Sequence, residues 1–506
     1  MNFRRISRFV GFLLMFLAVA MSTSLAWAFA LDDATSTIAA FVASVVITAV
    51  AGTVAWWVGR NEQGTIFRRE AMAIVGLSWL LLGVFGGLPY LFDGAFINPA
   101  DAYFETISGF TTTGSTVLSD IEGLSHAAHW WRGMTHWLGG MGIIVLFVAI
   151  FPQLGVGGKL LFQTEVPGPI TEGLRPKIRE TSIALWWIYF GLTAAEALLL
   201  YVFGPSEADV LAQGLSPNAV MDVHNAAIHA MSTMATGGFS TLNASAAGFD
   251  SVAVDAIITV FMALAGVNFA LYYATLRGNF HKAIRDRELW LYGGAIALAT
   301  IIVTFAIWHT GEGADGAKHA TLLSSFRYAI FQVLGIVTST GFGTDNFNLY
   351  PPVGQLLLIA LMFMGGMAGS TAGGMKVFRF LVMFKSLKQQ IHEAFRPNRI
   401  HVVRISGRVI APTVVQSILA FLALGTITWI AASLYLTARG IDIVTATTAV
   451  AATLFNIGPG LARVGSIENF GWMAADIKCL LSFCMILGRL EFYAVLVLLV
   501  PSFWRD

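Results

Sequence analysis

Four short stretches of this 506-residue chain set Thr, Ser or Asn against Gly. They are Thr111-Thr112-Thr113-Gly114-Ser115, Ala235-Thr236-Gly237-Gly238-Phe239, Ser339-Thr340-Gly341-Phe342-Gly343 and Asn456-Ile457-Gly458-Pro459-Gly460. Gly adopts cheaply the backbone conformations that point successive carbonyls one way, which β-branched residues avoid. A Thr before the Gly adds a hydroxyl oxygen and a stiff χ1. Four such turns facing one axis would offer a ring of peptide oxygens able to replace the hydration shell of a cation. The positions expected to line that ring are Thr112, Thr113, Gly114, Ala235, Thr236, Gly237, Ser339, Thr340, Gly341, Asn456, Ile457 and Gly458. One Thr-Gly turn is ordinary loop punctuation. Four copies in one setting, with Gly114, Gly237, Gly341 and Gly458 spaced roughly 104–123 residues apart, read as diverged internal repeats.

The setting is the same each time: a long apolar span, a shorter mildly apolar stretch, the turn, and another span. The shorter stretches cover about residues 99–111, 222–235, 322–338 and 442–455, too few to cross a bilayer core that needs about 20 helical residues. They are expected to be half-helices that enter the membrane and stop at the turn, presenting negative C-terminal ends to a cation. Non-helical backbone at that depth is tolerated only where it lines water or is buried in protein.

Composition demands such a membrane setting. Hydrophobic residues make up 56% and charged residues 12% of the chain, with a mean hydropathy of +0.72. A soluble chain carries about 25% charge, so a soluble enzyme and a disordered chain are both excluded. Two Cys cannot build a disulfide scaffold, and a net charge of +1 points to no nucleic-acid partner. Ten spans are expected, at about residues 8–29, 37–58, 71–93, 130–152, 181–204, 251–276, 288–309, 351–385, 405–437 and 470–501. Placing the N-terminus in the cytoplasm puts about 23 of the Lys and Arg on the inner side, the usual topology signal. Asp101, Glu105 and Asp120 then fall among the outer acids. Residues 1–30 have a basic start, an apolar run and an Ala28-Phe29-Ala30 end, which is also how a cleaved signal peptide reads; the near-full span length favours a retained helix.

Together these features predict an all-α polytopic membrane protein with two N-terminal spans and four pseudo-repeated units around one pore. The expected divisions are 1–70 for the extension and 71–160, 161–285, 286–400 and 401–506 for the units. The stretches 108–115, 236–241, 340–344 and 458–461 resemble the four pore loops of the Trk/Ktr/HKT potassium-uptake superfamily, and the extra N-terminal helix pair resembles its TrkH-type branch. The likeness runs from about residue 70 to the end. The resemblance implies inward K⁺ movement, K⁺ as the transported ion with no covalent cofactor, a homodimer, and a cytosolic nucleotide-binding regulatory subunit of the TrkA type in a bacterial inner membrane. Asn456-Ile457 departs from the Thr-Gly form of the other loops.

Residues 351–385 exceed one straight span, and Gly365, Gly366, Gly369, Gly373 and Gly374 at their centre argue against a continuous helix. With Ser370, Thr371 and Lys376 they are expected to form a flexible loop below the third turn, where it could plug the passage. Close small-residue helix packing is the alternative. Arg489 lies inside the last span, where a charge costs at least about 2.5–3.5 kcal/mol and needs a partner or water. Either Glu491 neutralises it, or it donates to carbonyls of the 365–374 loop and latches it. TrkH-type members carry a comparable intramembrane gate and a Gly-Arg-Leu-Glu motif, so the resemblance favours the latch.

Other residues carry less. Cys479 and Cys484 read as buried packing residues. His126, His129, His224 and His229 form no His-Glu-x-x-His motif. Glu196 is an intramembrane acid suited to a proton or ion step, or to a structural hydrogen bond. Ser370 lacks a nucleophile elbow, so nothing supports an enzyme. The competing function is a secondary transporter coupling a monovalent cation to another ion or solute; it would use inverted repeats, whereas these four units all begin in the cytoplasm. No phosphate loop is present, so any nucleotide would act through the partner, for which the basic residues 376–408 offer a docking surface; contact with membrane phosphates explains them equally.

Overall fold

The computed structural model describes residues 1–62, 64, 66–142, 178–310, 319–395, 403–405 and 408–505. The expected span 130–152 beyond residue 142, the basic residues Lys159, Arg175, Lys177, Arg396 and Arg399, and the boundaries at 160 and 400 lie outside them.

The described residues are helical almost throughout; their strand pairing is limited to Arg404–Ile405 against Arg408–Val409 and an isolated bridge between Met364 and Met375. Six helices are long and apolar enough to cross a bilayer: Phe3–Ala30, Thr35–Gly59, Arg68–Phe92, Ser182–Phe203, Arg287–Thr310 and Pro412–Ala438. The first two pack side by side at close range, because a β-carbon on Gly52 would lie 2.8 Å from the Met15 nitrogen. The remaining four lie near the starts of the four divisions expected from the sequence.

Two of the expected spans are bent. Val252–Ala265 and Phe269–Leu276 meet at 90°, and Ala475–Arg489 and Tyr493–Leu499 at 119°. The second bend has a local cause: Glu491 and Phe492 both take left-handed φ, 55° and 65°, which a helix cannot contain. The region 351–385 breaks as its glycines predict, into Pro352–Met362 and Val377–Phe395. The chain between them crosses back on itself, where Met364 bridges Met375.

The four short helices are Pro99–Phe110, Val223–Met234, Leu322–Val337 and Ile443–Leu454, within a residue or two of the expected ends. Each begins at a polar side chain that accepts a backbone N–H of the first turn: Asn98 from Ala100, Asp222 from Asn225, Thr321 from Ser324 and Asp442 from Thr445. Such caps satisfy the orphan donors of a helix start. The bond from the Thr445 N–H also holds the Asp442 carboxyl below its ordinary value. Cys484 is buried as expected, but Cys479 is exposed: the two lie five residues apart, and that spacing does not keep both on one face of a helix.

Candidate cation site

All four short helices end in the same backbone figure. The residues two positions apart, Thr112 and Gly114, Thr236 and Gly238, Ser339 and Gly341, and Asn456 and Gly458, take left-handed φ between 53° and 101°. The residue between each pair does not. This register equates Gly238, rather than the expected Gly237, with Gly114, Gly341 and Gly458. Gly237 instead packs against the His136 ring. The Gly-Gly pair left two registers open, and only the backbone distinguishes them.

The amide hydrogens of these turns point back into their own helices. Thr113 N–H donates to the Ser108 carbonyl at 2.8 Å, Gly237 N–H to Ser232 at 2.8 Å, Gly341 N–H to Gly335 at 2.9 Å and Ile457 N–H to Ala452 at 2.8 Å. With the N–H groups so committed, the carbonyls turn the other way. Among the described residues no donor reaches the carbonyl oxygens of Thr112, Thr113, Thr236, Gly237, Ser339, Thr340, Asn456 or Ile457. These are buried acceptors, and a buried acceptor without a partner costs free energy.

The four turns close into a ring. A β-carbon on Gly114 would overlap the Gly237 carbonyl oxygen, one on Gly238 that of Thr340, and one on Gly341 that of Ile457. One on Gly458 would lie 2.7 Å from the Thr113 carbonyl oxygen, which returns to the first turn. Side chains stitch the closure. Ser115 Oγ donates to the Gly458 carbonyl at 2.8 Å, and Asn456 Nδ2 to Thr113 Oγ1 at 2.9 Å. Asn456 thus takes part in holding the first turn. The hydroxyl pairs Thr111–Thr113 and Thr338–Thr340, each at 2.7 Å, stiffen the first and third turns alike. Ala235 stands at the position of Thr111 and Thr338, and its carbonyl accepts from Thr236 Oγ1 at 2.5 Å.

Glu105 lies in the first short helix. It is fully buried and pairs with Arg132 Nε at 3.1 Å while accepting from Val117 N–H at 3.0 Å. Arg132 also donates to the Ser240 carbonyl at 2.9 Å and stacks over Phe239. The pair therefore braces the first turn against the second from behind. A Glu in a short apolar helix and an Arg in a span were the sequence signals for it. Glu196 is also buried, and no described group hydrogen-bonds its carboxyl oxygens.

Below the ring lies the 363–376 segment. Gly373 N–H donates to Ser339 Oγ at 2.5 Å, and Thr371 Oγ1 to the Met234 carbonyl at 3.0 Å. A β-carbon on Gly373 would sit 2.8 Å from both the Phe455 carbonyl and Asn456 Cβ. The segment thus touches the ends of the second, third and fourth short helices. Gly365 N–H bonds the Met375 carbonyl at 3.0 Å, and Val377 N–H the Gly366 carbonyl at 3.1 Å, closing its base. Gly369 and Gly374 take left-handed φ of 79° and 70°, and Ser370 Oγ donates to Met367 O at 2.7 Å. Lys376 is buried and donates to the Ala372 carbonyl. Arg489 donates to the Thr371 carbonyl at 3.0 Å and to those of Gly139 and Gly140 at 2.6 and 3.0 Å. Glu491 pairs with Arg379. Arg489 is therefore placed against the segment, at the negative end of the helix His126–Gly140, where a cation is favoured.

Fold and site together define a polytopic α-helical membrane protein in which four short helices end in turns that meet in one ring of buried carbonyls. The chain belongs to the TrkH family of cation transport proteins, which matches residues 37–505. It is 36% identical, over the whole of both chains, to the Trk system potassium uptake protein TrkH of Escherichia coli K12. It is 33% identical to TrkG of the same strain, with 92% of this chain and 91% of that one covered. The crystal structure of the potassium transporter TrkH from Vibrio parahaemolyticus superposes over both full chains with a TM-score of 0.84 at 34% identity.

Proposed function

We propose that this chain takes up K⁺ across a bacterial inner membrane through a channel-like gated pore whose selectivity filter is the four-turn ring. One observation carries the reading: four equivalent turns commit their N–H groups inward to their helices and leave eight buried carbonyl oxygens free in a closed ring. Such oxygens stand in for water around a dehydrated alkali cation, and the four helix C-termini behind them add favourable potential. The names of the relatives, potassium uptake proteins, support K⁺ as the ion. Entry needs no chemical step, because a potential of 100 mV, inside negative, supplies about 2.3 kcal/mol per charge.

In this reading the 363–376 segment is the gate. Its support is its position under the ring, its bonds to the ends of the second and third short helices and its close approach to the fourth. Arg489 is the latch, holding Thr371 to the end of His126–Gly140. Lys376 sits buried beside the closed loop, bonded to the Ala372 carbonyl. The N-terminus is cytoplasmic, and the protein works as a homodimer with a cytosolic nucleotide-binding subunit of the TrkA type; the clustering of basic residues on one side supports the orientation.

The test is growth of a K⁺-uptake-deficient bacterium at low K⁺, together with tracer flux in proteoliposomes. The reading expects rescue, and uptake that K⁺ and Rb⁺ support better than Na⁺. Failure to rescue despite normal membrane expression refutes it. Steep dependence of uptake on the gradient of a second ion would transfer the reading to a coupled transporter.

A further inference from the structure

Arg489 holds one limb of the 363–376 segment, but a second group grips it from the helix Arg287–Thr310. Glu288 is the second residue of the helix Arg287–Thr310 and is 7% exposed. Its Oε1 accepts the Ala368 N–H at 2.7 Å and the Phe378 N–H at 3.0 Å. Ala368 lies inside the loop and Phe378 in the helix that follows it, so one oxygen ties the loop to its own exit. The helix bearing Glu288 is fixed in turn by Asp286, whose Oδ1 accepts from Glu288 N–H at 2.8 Å and Leu289 N–H at 3.0 Å.

The other end of the same connection grips the loop as well. Met367 N–H donates to the Gly266 carbonyl at 2.9 Å, and Phe269 N–H to the Gly369 carbonyl at 3.0 Å. Residues 266–269 and 288 therefore hold residues 366–369 from two sides. The connection between them passes through the short helix Phe280–Ile284 and the exposed residues Arg277, Lys282 and Arg285.

We propose that Glu288 is a positioning residue for the closed pore: it pins the loop across the passage, and breaking its two amide bonds is a step in opening. The proposal rests on the gate reading above. A carboxylate oxygen shared by two amides makes charge-assisted bonds, stronger than neutral ones. Removing it leaves two buried donors unpaired in the closed form alone, which shifts the balance toward a withdrawn loop. The side chain does not touch the ring, so ion preference stays as it is.

The experiment is rubidium-tracer uptake by the full-length protein in proteoliposomes. It compares the unmodified chain with Glu288→Ala, Glu288→Gln and Arg489→Ala at equal protein, with melting temperatures alongside. Glu288→Ala is expected to raise basal flux by roughly three- to tenfold with Rb⁺ over Na⁺ preference retained. Glu288→Gln, which keeps an acceptor but not the charge, falls between. A merely structural role would lower flux and melting temperature together, and that outcome overturns the assignment. Unchanged flux in Glu288→Ala beside raised flux in Arg489→Ala overturns the Glu288 role and leaves the gate standing; unchanged flux in both overturns both. If Glu288→Ala does not accumulate, unchanged flux in Glu288→Gln is the refuting result.

Discussion

Replacing Gly341 with Ala tests the ring at the seam between its third and fourth turns. Gly341 has φ +78°, and a β-carbon there would overlap the Ile457 carbonyl oxygen and lie 2.8 Å from Pro459 Cδ. The left-handed conformation costs an L-residue about 1–2 kcal/mol, and forcing a methyl into packed surroundings about 1–3 kcal/mol more. The sum, about 2–5 kcal/mol, can be relieved only by moving the Ile457 carbonyl outward. That carbonyl is one of the eight proposed to face the ion. Its displacement unbalances the ring, so K⁺ over Na⁺ discrimination is expected to collapse. Gly440 supplies the control: it has φ +86° with nothing within 4 Å of the added carbon. Gly440→Ala therefore carries the conformational cost alone and should keep both rescue and discrimination. The assay is paired growth rescue and K⁺ against Na⁺ flux at matched expression. Normal discrimination in Gly341→Ala would refute the reasoning, because it would mean the Ile457 oxygen does not contact the ion.

Other perturbations separate the parts. Arg489→Ala removes the donor to Thr371, Gly139 and Gly140 and is expected to raise basal tracer flux without changing ion preference; flux equal to the unmodified protein refutes the latch. Glu105→Ala leaves Arg132 buried without its carboxylate, a loss of about 3–5 kcal/mol, to be read as a lowered melting temperature in detergent; an unchanged melt refutes the brace. Asp442→Ala removes the cap of the fourth short helix, at the low end of about 0.5–2 kcal/mol for an exposed cap. Because the folded Asp442 carboxyl is held low, its contribution is present above the unfolded carboxyl range and fades as pH falls through the folded value. The unmodified protein and the variant should therefore converge in melting temperature toward acid, and a constant difference between them refutes the cap.

Much of the architecture was written in local sequence. The long apolar runs contained the six helices able to cross a bilayer among the ten spans expected, and the shorter stretches matched the short helices to within a residue or two. The Thr-Gly turns marked where they stop, and five glycines between 365 and 374 announced the break between Pro352–Met362 and Val377–Phe395. These are properties of periodicity, burial and backbone freedom, each of which acts over a few residues. Tertiary structure decided the rest. It chose Gly238 over Gly237, because register in a Gly-Gly pair depends on which neighbour the carbonyl must clear. It paired Glu105 with Arg132, and gave Glu491 to Arg379 so that Arg489 reaches Thr371. It also bent two spans that composition alone would have left straight. Partners across 100 residues or more of chain are set by how four units meet around one axis, and no window of sequence contains that meeting.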